Sequence, residues 1–381
     1  MSRQHDGELQ SPPAEARFAD ELALLTAQPG PRPKGWALSP DAVVTFLCGS
    51  DGEKLSAPKT APKGTPKKLA ITPKFIGDRA LVERAVVTLS GPRSLLLVGE
   101  PGTAKSMLSE LLAAAISGTS ELVVQGSAGT DEPQLRYGWN YSLLIAKGPS
   151  PEALVPSPVL TAMRGGKLAR IEEVTRCLPE VQDALVSLLS ERRMAIAELG
   201  TTDYARPGFN VIATANLRDR GVSEMSAALK RRFNFEVVHP IAELADELAL
   251  VRRQTEAELP IGRELGSSDE AVLEAIVTLF RDLRDGKSLE GWAVEKPTAV
   301  MSAAEAVQVA SGVFTSWRFF PDRPQSESVV GMLLGVVIKD QEEDRERLIA
   351  YWDSVVERRA KERPESIWKP LFDSRTMLTA R

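Results

Sequence analysis

The chain has 381 residues and a mass of 41.4 kDa, enough for two or three domains with real hydrophobic cores. Its 43% hydrophobic and 26% charged residues exclude a collagenous, wholly disordered or membrane-embedded polymer. With 47 Lys+Arg against 52 Asp+Glu the net charge is -5, so no global charge selects for nucleic acid or an anionic membrane. Cys48, Cys177, His5 and His239 are too few and too scattered for a disulfide framework or a zinc site, as expected in a reducing compartment. Apolar runs such as 329–338 stop at about 10 residues where a bilayer span needs about 20. The opening MSRQHDGELQ lacks the apolar stretch of a signal peptide, so a cytoplasmic protein without a membrane partner is expected.

Residues 1–70 read as a flexible N-terminal arm. Phe18, Leu22 and Leu25 fall on one face after Pro12 and Pro13, which predicts a short docking helix. Residues 54–75 contain six lysines, four prolines and no acidic residue. Such a composition predicts an extended, self-repelling linker, with a phosphate-contacting arm as the alternative.

After Ile71 short β-branched or leucine-rich runs alternate with helical ones, the pattern of a βαβ architecture with a mainly parallel sheet. Strands are predicted over 94–98, 121–125, 167–171, 209–214 and 235–238, and helices over 106–116, ended by Gly118, and 179–190. Beyond Pro240 the pattern is helical only, at 241–257, 269–285, 302–313 and 346–361. Ser268 and Asp269 before Glu270 are expected to cap the second of these.

The strongest local signal is Gly99-Glu100-Pro101-Gly102-Thr103-Ala104-Lys105-Ser106, placed between the apolar run Leu95–Val98 and a helical run. In a strand–glycine loop–helix unit, backbone N–H groups point at phosphates, the lysine reaches β- and γ-oxygens and the hydroxyl ligates a divalent cation. Ala104 stands where G-x-x-x-x-G-K-[ST] has glycine; a helical φ is expected there if this residue opens the helix. A hydrolase also needs carboxylates for the metal and the attacking water. Glu172 and Glu173, at the end of the strand around Arg170, supply a pair, with a helix N-terminal feature as the alternative.

At these residues the chain resembles the AAA+ ATPases, and within them the MoxR-like and dynein-related (AAA_5-type) group. The resemblance is carried by EVTRCLPEVQDALVSLLSER at 173–192, a hairpin pattern at 194–209 with Gly200 and Pro207-Gly208 in its turns, NVIATAN at 210–216 and ALKRRF at 228–233. It extends over roughly residues 71–310 and implies an α/β P-loop NTPase fold. An AAA+ core, with a parallel sheet flanked by helices, would occupy 71–239, an all-helical lid 240–315 and a C-terminal helical extension 316–381. The resemblance implies ATP and Mg2+ as cofactors, with Ser106 and Glu172 toward the metal, Glu173 toward the attacking water and Asn216 holding that water as sensor 1. It implies an arginine finger at Arg232, with Arg231 second; a basic helix end is the alternative for both. Phe75-Ile76-Gly77 is similar to the loop that lies against adenine, and Gln134 to Trp139 to an extra element near the pore. Lys296 stands where a sensor 2 arginine is usual.

A finger acting in trans requires a ring, and the resemblance implies a homo-oligomer, a hexamer. The implied function is ATP-driven remodelling or chaperone-like maturation of a client, working with a von Willebrand factor A domain protein. Two alternatives are a nucleic-acid-stimulated ATPase in a defence or loader system and a weakly active nucleotide-binding scaffold.

Overall fold

The computed structural model describes residues 10–216, 225–259, 265–338 and 342–379. The chain divides into two compact units, one running to Val238 without Pro101–Thr103 and the other made of Pro101–Thr103 and the residues from His239 on.

All five predicted strands form in the first unit: β1 (Ser94–Val98), β2 (Val123–Gln125), β3 (Leu168–Glu172), β4 (Asn210–Ala215) and β5 (Phe233–Val237). They make one parallel sheet in the order β5-β1-β4-β3-β2. Every residue of β1 and β4 is buried, because helices cover both faces, and that is why apolar residues run consecutively at 95–98 and 211–213 rather than alternating with polar ones. Alternate side chains feed separate cores. Leu95 and Leu97 pack on one face with Leu108, Leu112 and Leu168, while Leu96 and Val98 pack on the other with Ile171, Ala213 and Leu185. Lys105–Ser117 forms the helix after β1 and stops at Gly118, which adopts a left-handed φ of 68°. Arg193–Ile196 and Thr201–Tyr204 pair antiparallel around Gly200, so the hairpin expected at 194–209 is present.

Residues 10–70 depart from the flexible arm expected of them. Helices Ala19–Ala27 and Pro40–Cys48 place Leu24, Leu25, Phe46 and Leu47 in the same core as the face of β1 that carries Leu95. The decisive contact is a buried cation. Lys74, 5% exposed, pairs with Glu21, donates to the Phe46 and Thr72 carbonyls at 3.1 and 3.0 Å, and lies 4.7 and 4.4 Å from the Phe18 and Phe46 ring centres. The lysine-rich stretch is a two-stranded ribbon, Lys54–Ser56 against Lys68–Ala70, with Lys59, Lys63, Lys67 and Lys68 exposed. Composition hid this order because solvated lysines look the same on a ribbon as on a coil. Gly35 closes the segment onto the sheet domain: with φ at 86°, a Cβ there would lie 2.3 Å from the Pro207 carbonyl oxygen.

Among the described residues of the second unit no strand longer than a single bridge occurs, as expected. Helices Leu244–Glu258, Ser267–Asp285, Ala303–Phe319 and Gln325–Val337 share one core with Trp352 and Trp368. The division expected at 315/316 therefore fails, since it would cut helix Ala303–Phe319, and the last tryptophans are core. The second helix is capped at Gly266, whose N–H donates to Asp269 at 3.0 Å, rather than at Ser268. The helical pattern at 346–361 is interrupted by a π-turn at Trp352–Val356. Around it a buried network forms. The Tyr351 hydroxyl donates to Asp282 at 2.7 Å, and Arg359, 2% exposed, spans Asp282 at 2.8 Å and Glu290 at 2.6 Å.

Burial by itself raises the Glu290 pKa, but the Arg359 bonds outweigh it and hold it at about 2. A carboxylate depressed in this way contributes stability above its unfolded pKa, and that contribution is lost as pH falls toward the folded value. Glu290→Gln should therefore cost about 1 to 2 kcal/mol at pH 7, with the deficit closing between about pH 4 and 2. Denaturant titrations across pH measure it; a pH-independent deficit would contradict the pairing.

Candidate nucleotide site

The loop after β1 runs from Gly99 to Ala104 and enters helix Lys105–Ser117 with Glu100 and Gly102 exposed. No side chain caps the helix, so the first-turn N–H groups are directed at whatever anion the loop holds. Lys105 folds back over the loop and donates to the Gly99 and Glu100 carbonyls at 3.1 and 2.6 Å. Ala104 corrects the helical conformation expected of it: φ 63° and ψ 23° put it in the left-handed region. This is the conformation that glycine supplies at no steric cost and that alanine reaches only with strain.

Leu168, Arg170 and Glu172 lie on the face of β3 covered by helix Lys105–Ser117, which buries Glu172 and nearly buries Arg170. The Glu172 carboxylate is the meeting point. Its Oε2 accepts from the Ser106 and Thr214 hydroxyls, each at 2.7 Å, and its Oε1 accepts from Arg170 at 2.9 Å and lies against the Ser109 hydroxyl. The glutamate side chain is long enough to reach the Ser106 hydroxyl with one oxygen while the other stays against Arg170. Ser106 gives its proton to Glu172 and keeps oxygen lone pairs for a further partner.

Glu173 follows at the same sheet edge. Its φ of 53° is left-handed, and its N–H donates to the Thr214 hydroxyl at 2.9 Å. Its carboxylate pairs with Arg176 Nε at 2.7 Å and remains about one-third exposed. Gly126, after β2, allows this turn: a Cβ there would meet the Glu173 carbonyl oxygen at 2.5 Å. Asn216 immediately follows Ala215, which pairs with Val98. The register thus puts Gly99, Glu173 and Asn216 together at the carboxyl ends of adjacent strands, β1, β3 and β4.

Arg231 and Arg232 stand at the other end. Phe233 pairs with Ser94, and the Arg232 carbonyl accepts from Ser94 N–H at 3.1 Å, a strand length of roughly 15 Å from the glycine loop. Arg231 is exposed, and Arg232 donates to the Ser190 hydroxyl at 2.6 Å. Phe75 is buried in the core with its N–H on the Leu47 carbonyl, which leaves half-buried Ile76 and exposed Gly77 at the surface of that turn. The element near 134–139 is a ribbon, Tyr137–Trp139 against Leu154–Pro156, with helix Tyr141–Lys147 between its strands; Trp139 is half-buried and Tyr141 exposed. Lys296 is exposed, its stem lying beside Gly286. Sequence reasoning missed Thr214, Ser109 and the role of Arg170. Thr214 had a signal, being the one hydroxyl in an otherwise apolar strand end.

Residues 94–233 match the model of the AAA domain of the dynein-related subfamily, and residues 245–379 that of the YehL-like AAA+ ATPase C-terminal domain. YehL of Escherichia coli strain K12 is 46% identical over 99% of this chain and 100% of its own length. The chain belongs to the YehL-like AAA+ ATPases. SH1500 of Staphylococcus haemolyticus is 29% identical over 54% of this chain and 74% of its own, and a crystal structure from Cytophaga hutchinsonii aligns with 69% of this chain and 82% of its own at 17% identity and a TM-score of 0.37. The AAA+ match thus covers β1 to β4 and both carboxylates, and the family implies nucleotide binding. Among the described residues no helix is long and apolar enough to cross a membrane, and no His, Cys, Asp and Glu cluster could hold a metal by itself.

The strain at Ala104 has a direct check. Ala104→Gly removes about 1 to 2 kcal/mol of left-handed strain against roughly 0.5 to 1 kcal/mol of added chain entropy. A net gain of about 0.5 to 1 kcal/mol is expected in denaturant titration, and a loss would contradict the loop conformation.

Proposed function

We propose that this YehL-like protein hydrolyses ATP and couples the reaction to remodelling or chaperone-like maturation of a partner protein. The observation that carries the hydrolytic reading is the Ser106–Glu172–Thr214 arrangement, which binds the glycine-loop helix to the strand ends where Glu173 and Asn216 stand. In this reading Lys105 leaves the loop carbonyls for the phosphate oxygens, Glu173 takes a proton from the attacking water and Asn216 orients it. The donor set suits Mg2+: a hard hydroxyl oxygen with its proton directed away, beside a satisfied carboxylate. Ser106 would hold it directly and Glu172 through that hydroxyl, and the ion supplies charge stabilisation on the phosphates.

Arg232 and Arg231 support assembly as a ring. They lie at the sheet end remote from their own glycine loop, so a guanidinium from one subunit would serve the site of the next, and a hexamer is the closed form we favour. A von Willebrand factor A domain protein is the partner class we favour for delivering the client. Exposed Lys59, Lys63, Lys67 and Lys68 on one ribbon favour a second reading, nucleic-acid-stimulated turnover, which neutralising those lysines would abolish in a salt-dependent way.

Lys105→Ala should weaken ATP binding at least about tenfold. Glu173→Gln should bind ATP normally and lose about 100-fold or more in turnover; ordinary turnover would remove it from the base role. Mixing Lys105→Ala with Arg232→Ala subunits should restore some of the activity that each lacks, and no restoration would leave Arg232 with a structural role.

A further inference from the structure

Arg170 is an anomaly that the nucleotide site as described does not require. It occupies the middle of an interior strand, pairs with Ile212 on one side and Val123 on the other, and is nearly buried. A cation enclosed like this is costly unless its N–H groups are satisfied. They are. Its guanidinium donates to the Ser109 hydroxyl at 3.0 Å, the Ser120 carbonyl at 2.9 Å, the Ser106 carbonyl at 3.2 Å and Glu172 Oε1 at 2.9 Å. Two of these partners, Ser106 and Glu172, are the residues that face the metal position.

The arrangement splits Glu172 in two. Oε1 is held by Arg170 and Ser109, and Oε2 by Ser106 and Thr214, so both oxygens are saturated by protein donors. A carboxylate with a fixed guanidinium against it carries little net charge toward the phosphates, whereas an uncompensated one would repel them and depend on a divalent cation to screen it. The longer glutamate makes this possible, since it reaches Ser106 with one oxygen and keeps the other within the arginine fork.

We propose that Arg170 is a built-in counter-cation of the nucleotide site, a positioning residue that neutralises Glu172 and lets nucleotide bind with a weak requirement for magnesium. The proposal rests on the nucleotide-site reading. It places the metal's contribution in turnover rather than in holding the nucleotide.

The test is direct binding of ATP to the full chain, measured by calorimetry in excess Mg2+ and again in EDTA. Wild type should lose less than about tenfold in affinity on metal removal, whereas Arg170→Met should lose a further tenfold or more without metal and change less than about threefold with it. Arg170→Lys, which keeps the charge, should remain near wild type. Arg170→Met combined with Glu172→Gln, which removes both charges, should recover metal-free binding, and this double variant also decides the matter if Arg170→Met alone does not fold. Equal weakening with and without metal, or no rescue by the double variant, would leave Arg170 with a packing role only and overturn the proposal. A wild type that binds ATP under neither condition sinks the nucleotide site itself and the proposal with it.

Discussion

The buried carboxylate of Glu172 is the constraint on which the first unit depends. Hydrogen bonds to a charged group are each worth about 1.5 to 3 kcal/mol, and here they come from a serine in the first turn of a helix, a strand threonine and a strand arginine. β3, β4 and helix Lys105–Ser117 are thereby fixed to one another at the sheet edge where the glycine loop emerges. Removing the carboxylate would strand Ser106, Thr214 and Arg170 together, so its role in the fold and its role in the site are one interaction.

Around this point the backbone is held in conformations that side chains disfavour. Ala104 and Glu173, neither a glycine, both take left-handed φ values, 63° and 53°, one at the end of the glycine loop and one at the end of β3. Such strain persists only where surrounding contacts over-determine it. Thr214 supplies one such contact to Glu173, and the N-terminal segment supplies others to the loop's helix. Glu110 on that helix accepts from Arg17 at 2.6 Å and from the Ala14 N–H at 2.9 Å, and the Ala37 N–H reaches the Ile116 carbonyl at 2.7 Å. Residues 14–37 thus brace helix Lys105–Ser117 from behind.

Much of this was legible in the sequence, for identifiable physical reasons. The strands of the sheet are short, apolar and separated by helical periods, and the glycine loop has a spacing that few other structures demand. The lysine-rich stretch was illegible because its lysines and prolines satisfied a disorder pattern, whereas the docking helix carrying Leu22 and Leu25 was readable and forms as Ala19–Ala27. Yet Ser39-Pro40-Asp41 ahead of an apolar run was a helix start in plain view, and Ser39 indeed accepts the Ala42 N–H. Ala104 was misjudged because sequence shows the size of a residue and not its φ. The partners of Arg170 come from positions 106, 109, 120 and 172, a convergence that no local window contains. The helical half forms a single unit where a lid and a separate extension were expected, and the reason is the same. Periodicity marks helices, but only packing shows that Trp352 and Trp368 complete a core begun near residue 250.

If the strand-end carboxylates hydrolyse ATP in a site completed by a neighbouring subunit, turnover must depend on assembly. Phosphate release per subunit, recorded over a wide range of protein concentration together with particle mass, tests this central claim most directly. Turnover should rise as the protein assembles and level off once assembly is complete. Turnover per subunit that is the same for monomer and assembly, or none in an assembled protein that binds ATP, would contradict it.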